Sequence, residues 1–140
     1  MLRNIRWLGM ICSAIISALG GWDAGLHTLI ALMAVDYFSG LLVAGVFKQS
    51  KKSITGALSS IAGFRGLIKK GMCLALVYVS HRLDVALDIG FVRNAVVFAL
   101  IANELISIIE NAGLMGIPCP PMLRKALDIL RDKEDADTEG

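Results

Sequence analysis

Residues 26–47 read LHTLIALMAVDYFSGLLVAGVF, an uninterrupted apolar run in which Asp36 is the only formal charge. As a helix this run extends about 33 Å, enough to cross a bilayer hydrocarbon core of about 30 Å. It reads as a membrane span, and the remainder of the chain is organised around it. On its N-terminal side, Gly20-Gly21-Trp22-Asp23 reads as a tight turn. Before the turn, about Ile5 to Gly21 forms a second apolar run with Trp7 and Trp22 near its ends, as in an aromatic belt. Arg3 and Arg6 would also suit a signal peptide. The residues from Ser17 to Gly21 resemble a cleavage site only loosely, however, and further apolar segments follow, so an uncleaved first helix is expected.

After the run comes a basic loop with Lys48, Lys51 and Lys52. From Ser53 to Lys70 a weak amphipathic pattern, flanked by lysines that include Lys69 and Lys70, predicts a helix lying on the membrane surface, with a glycine-rich linker as the alternative. A third span is predicted over about Gly71–Ile89, apolar only as far as Ser80, and a fourth over about Phe91–Ile109. Gly113, Gly116 and Pro118-Cys119-Pro120-Pro121 close the membrane region. Leu123, Leu127 and Leu130 then share one face of a short helix over 122–131, and the acidic stretch 132–140 is expected to be unstructured.

Composition supports this organisation. Hydrophobic residues make up 56% of the 140 positions, and the mean hydropathy is +0.67. A soluble domain of this size cannot bury so much apolar surface, because small domains keep a large share of their area in water. The fold class predicted is an all-α integral membrane protein of about four transmembrane helices, or three if the polar half of the third stays at the interface. A short amphipathic cytoplasmic helix and a polar C-terminal tail accompany them. Residues 1–121 form the transmembrane domain, and 122–140 the cytoplasmic helix and tail. Basic residues gather before the first span, between the second and third, and after the fourth, which places both termini and the central loop in the cytoplasm.

A net charge of +2, with no basic face interleaved with aromatics, gives no reason to expect a nucleic-acid partner. Cys12, Cys73 and Cys119 are an odd set without metal-ligand spacing and are read as reduced. His81, Asp84 and Asp88 share a helix face, but no second cluster completes a metal site, and solvated residues at a helix end are the simpler reading. With two histidines, no Gly-x-Ser-x-Gly, no His-Glu-x-x-His and no Walker loop, neither an enzyme nor a cofactor is predicted.

The residues singled out are polar groups in apolar surroundings. A carboxylate at Asp36 costs at least ~2.5 kcal/mol to insert, so it should face protein or water. Gly40 and Ala44 follow it at four-residue steps, which makes Asp36, Tyr37, Gly40 and Ala44 a candidate surface for helix packing or oligomerisation. Asn103, Ser107 and Glu110, with Glu104 and Asn111 beside them, form a stripe unsuited to lipid and are a candidate pore or packing face.

Two stretches of the chain resemble the toxin-secretion and phage-lysis holin family. One is Leu32-Met33-Ala34-Val35-Asp36-Tyr37-Phe38-Ser39-Gly40, continuing through the Lys48–Ser53 loop and from Gly56 to Lys69-Lys70. The other is Asn103-Glu104-Leu105-Ile106-Ser107-Ile108-Ile109-Glu110-Asn111, followed by Gly116-Ile117-Pro118. Order and spacing fit from about Leu32 to Leu130, whereas Phe64-Arg65-Gly66 departs from the lysine-containing pattern usual there. The resemblance implies a protein that accumulates in a phage host's cytoplasmic membrane and forms homo-oligomers. These open holes through which an endolysin, or in the toxin-associated branch a large toxin, passes without necessary direct contact. A small ion channel or transporter, and a holin-inhibiting partner, stand as alternatives. Met10 as a second start is less natural than Met10 as an ordinary apolar residue.

Overall fold

The computed structural model describes residues 1–49, 56 and 59–139, and the lysines at 51 and 52, assigned above to the basic loop, lie outside that set. Five helices follow one another: α1 (Leu2–Ala18), α2 (Ala24–Gly45), α3 (Ser60–Leu87), α4 (Val92–Leu114) and α5 (Pro121–Glu139).

Local chemistry sets most of the boundaries. After α1, Gly20 and Gly21 both take φ of +93°, a left-handed conformation that glycine adopts without steric cost. The Asp23 carboxylate then accepts a hydrogen bond from the Leu26 amide at 2.8 Å and caps α2. Ser59 caps α3 in the same way through the Ala62 amide, and α3 ends where Asp88 turns left-handed. Proline at the first position of α5 costs no hydrogen bond.

The core is shared by α2, α3 and α4. On α2, Leu26, Leu29, Met33, Asp36 and Val43 are buried, a stripe at three- and four-residue steps. Leu26, Leu29 and Met33 pack with Leu19, Val77, Val97, Leu100 and Ile101. A Cβ added at Gly25 would lie 3.3 Å from Val97, and Asn111 reaches Asp36, so α2 and α4 run parallel. Helix α3 packs mainly on α4 and runs in the opposite sense, with Asp84 level with Val92 at one end. No residue of α1 is buried. Large apolar side chains stand exposed along α1 and on the outer faces of α2 and α3, Trp7, Ile11, Phe38, Leu42, Phe64 and Val79 among them, as on a protein bathed in lipid.

Among the described residues, α2 and α4 are long and apolar enough to cross a membrane, with mean hydropathy of 1.7 each. Two expectations change. From Ser60 onward, the surface helix predicted over Ser53–Lys70 and the third span starting at Gly71 are one continuous 28-residue helix, α3, and most of the earlier part of that segment lies outside the described residues. The Lys69-Lys70 pair reads as an interface marker in sequence, but Lys70 finds acidic partners inside the bundle and so forces no break. The segment 132–140 was expected to lack structure, but helix continues to Glu139 and folds back along α4: Leu130 packs against the core, and the Lys133 ammonium sits 5.4 Å from the centre of the Phe98 ring.

Candidate functional site

Halfway along the bundle, three helices each contribute a charge to one point. The Lys70 ammonium on α3 donates to Asp36 of α2 at 2.6 Å and to Glu104 of α4 at 2.7 Å. Asp36 and Glu104 each lie twelve residues into their helices, which start at Ala24 and Val92, so both carboxylates sit about 18 Å from the same end of the bundle. The three side chains are 16%, 6% and 11% exposed for Lys70, Asp36 and Glu104. Among the described residues, two carboxylates face one ammonium, a formal excess of one negative charge. The Asn111 amide donates to Ser39 Oγ at 2.8 Å, to the Asp36 carboxylate at 3.2 Å and to its carbonyl at 3.3 Å. Ser39 in turn donates to the Asp36 carbonyl. In a low-dielectric interior such a set persists only when its members are hydrogen-bonded to one another.

A cleft of about 270 Å³ opens beside the cluster, lined by Tyr37, Gly40, Ala44, Gly63, Gly66 and Ser107 as well as the three charges. Tyr37 lies across its two α3 glycines: a Cβ at Gly63 would lie 3.5 Å from the Tyr37 hydroxyl, and one at Gly66 would lie 3.8 Å from the Tyr37 ring, both ordinary contact distances.

A second polar centre closes the end of the bundle where α4 begins. Asp84 is buried and accepts hydrogen bonds from the Val92 and Arg93 amides, both at 2.9 Å, satisfying two of the free donors of α4. The buried Arg93 guanidinium donates to the carbonyls of Leu19 and Gly21 and to the Asp23 carboxylate, the last at 2.7 Å. It thereby ties the turn between α1 and α2 to α4. Partial burial alone would raise the Asp23 carboxyl. The hydrogen bond from Arg93, the amides of Leu26 and Gly25 and the guanidinium charge outweigh burial and hold it below the ordinary carboxylate value.

The sequence-predicted residues thus separate. Asp36, Glu104, Asn111 and Lys70 come together, with Tyr37, Gly40, Ala44 and Ser107 around them. Asn103 and Glu110 stay exposed on α4, so the polar stripe divides between the interior and the surface. Lys48 is exposed after α2, and Lys69 is exposed within α3 rather than in a loop. Asp84 departs from the reading of His81, Asp84 and Asp88 as solvated end residues, since it is 8% exposed and bound to α4. Arg93 was not among the residues singled out in the sequence. Its only sequence signal was isolation: it follows an aspartate-containing helix end by a few residues, in a stretch otherwise nearly free of basic groups.

The fold is all-helical, with two helices long and apolar enough to span a membrane and a buried ion cluster contributed by three helices. A family model for the bacteriophage holin family matches residues 13–132, and the chain belongs to that family. It is similar to an uncharacterized protein of Halalkalibacterium halodurans, 36% identical over 93% of this chain and 96% of the relative. It is also similar to an uncharacterized 14.9 kDa protein of Clostridium perfringens, 36% identical over 96% of this chain and 98% of the relative. A probable holin of Bacillus phage phi105 is 28% identical over 81% of this chain and 79% of the relative. No solved structure matches.

Proposed function

We propose that this protein acts as a holin: it inserts in the cytoplasmic membrane of a bacterial host, self-assembles, and opens holes through which a cell-wall-degrading endolysin leaves. The observation that carries the proposal is the family match over residues 13–132. The polar residues are consistent with it. In the single chain, Lys70, Asp36 and Glu104 neutralise most of their charge inside one bundle, which permits α2 and α4 to reside in lipid. Exposed Asn103 and Glu110, with Ser107 at the cleft, supply the side of α4 that turns to water as subunits assemble. Asp36, Tyr37, Gly40 and Ala44 form the close helix contacts. We assign crossings to α1 and α3 as well as to α2 and α4, with both termini cytoplasmic.

Expression in bacteria with and without a cytoplasmic endolysin tests the reading. Abrupt lysis that needs both proteins is the expected result. Depolarisation without endolysin escape would instead identify a small-solute channel.

A further inference from the structure

The cleft beside Lys70 has a direction. On α2 its wall runs from Asp36 to Ala44, and on α3 from Cys73 back to Ser59. It therefore starts at the ion cluster and reaches the end of the bundle where α2 stops and α3 begins, about 12 Å away along α2. Helix α3 packs mainly on α4, and the cleft is the gap that this leaves beside α2. From the cluster toward the other end the interior is shut, because Leu26, Leu29 and Val77 are fully buried.

The walls suit water better than acyl chains. Lys70 gives two of its three N–H donors to the carboxylates. Among the described residues, neither the Tyr37 nor the Ser107 hydroxyl has a hydrogen-bond partner, and both residues line the cleft. Hydrocarbon would leave these groups unpaired, whereas water pairs them. At about 30 Å³ for each molecule, a cleft of about 270 Å³ has room for roughly nine.

From this we infer that the cleft is a water-filled vestibule. It brings the aqueous phase from the α2–α3 end of the bundle to mid-depth, where Lys70, Asp36 and Glu104 meet, and the apolar core seals the remaining way. The inference rests on the reading that α2, α3 and α4 cross the membrane. With both termini cytoplasmic, the mouth opens to the cytoplasm.

Cys73 reports on the deep end. It lines the cleft thirteen residues beyond the start of α3 at Ser60, about 20 Å along the axis. Leu76, less than one turn further, is exposed on the outer face of α3.

The test uses the full chain with Cys12→Ser and Cys119→Ser, which leaves Cys73 as its one thiol. A chain that also carries Cys73→Ser and Leu76→Cys is the lipid-facing control at nearly the same depth. A membrane-impermeant methanethiosulfonate bearing a quaternary ammonium is applied to spheroplasts, which present the outer face, and to inverted vesicles, which present the cytoplasmic one. Only membranes that retain an internal dye are scored, so no open hole admits the reagent. Such reagents attack the thiolate, which apolar surroundings disfavour. Cys73 is expected to react roughly tenfold or more faster than Leu76→Cys, and in inverted vesicles alone. Equal rates at the two positions overturn the inference and leave a lipid-filled groove. Reaction of Cys73 from both faces overturns it too, since the core would then not seal. Reaction from the outer face alone upholds the vestibule and reverses the proposed orientation. Recovery of the chain outside the membrane fraction refutes the crossings, and the inference with them.

Discussion

The Lys70 ammonium lies between Asp36 and Glu104, 2.6 Å from one carboxylate and 2.7 Å from the other, so one cation on α3 holds acids on α2 and α4 together. Each acid stands 34 residues from the lysine, the interval at which consecutive helices of this length return to the same depth.

Removing Lys70 should therefore cost more than removing either acid. Lys70→Met removes the ammonium that both buried carboxylates contact, and loss of one partner from a buried ionic set typically costs about 3–5 kcal/mol. Replacing all three charges with apolar residues of similar volume should be nearly neutral on the same argument. Unfolding in mild detergent, followed by circular dichroism, compares the variants. Equal stability of Lys70→Met and the natural chain would remove the cluster from the account of the fold.

Asp36→Leu leaves Lys70 and Glu104 as a matched pair, so the variant should still insert. Asn111 loses its carboxylate partner on α2, and the helix contact loosens. The expected outcome is normal abundance in the membrane fraction with displaced lysis onset, read from optical density. An unchanged onset would exclude Asp36 from timing.

Gly20 should not tolerate a side chain. Its φ is +93°, and an added Cβ would fall 2.5 Å from Arg93 Nε and 2.7 Å from its Cδ. Gly20→Ala must displace the guanidinium as well as adopt a strained backbone, together about 1–3 kcal/mol. Limited proteolysis at the turn reports it, since cleavage should accelerate as the turn leaves α4.

Gly66→Ala predicts the opposite sign. The new methyl would meet the Tyr37 ring at 3.8 Å, an ordinary contact, and alanine is the better helix former by about 0.8–1.0 kcal/mol. A higher melting temperature is expected, and a lower one would show that the cleft needs its full width.

The pH dependence follows from Asp23. Its folded value lies below the ordinary 3.8. The stability it contributes is therefore present above that value and lost as pH falls through the lower, folded one. Its side chain is 49% exposed, so the effect is ~0.5 kcal/mol after solvent screening. Asp23→Asn should flatten the acid limb of an unfolding titration below about pH 4.

The sequence made α2 and α4 legible, because an apolar run of spanning length admits few other readings, and it marked Asp36 and Glu104 as groups that lipid rejects. It misled at Lys70. A lysine between a polar segment and an apolar one suggests a membrane boundary, and only the three-dimensional pairing shows that its charge is met from two other helices. Arg93 and Asp84 were hidden for a related reason. Their partners are chiefly backbone groups, of the turn at Leu19–Gly21 for Arg93 and of the start of α4 for Asp84, which carry no residue signature. At α5, acidic composition suggested an unstructured end, whereas the stripe through Leu127 and Leu130 gives the helix a surface to lie on.

The Arg93 clamp also bears on the shape of the molecule. It fixes the turn at Leu19–Gly21, while the seventeen residues of α1 beyond it have no buried member. The protein anchors this rod at its base and leaves its direction to the surroundings. Micelle and vesicle then each impose an outline of their own on the same fold, and the medium becomes a component of the structure.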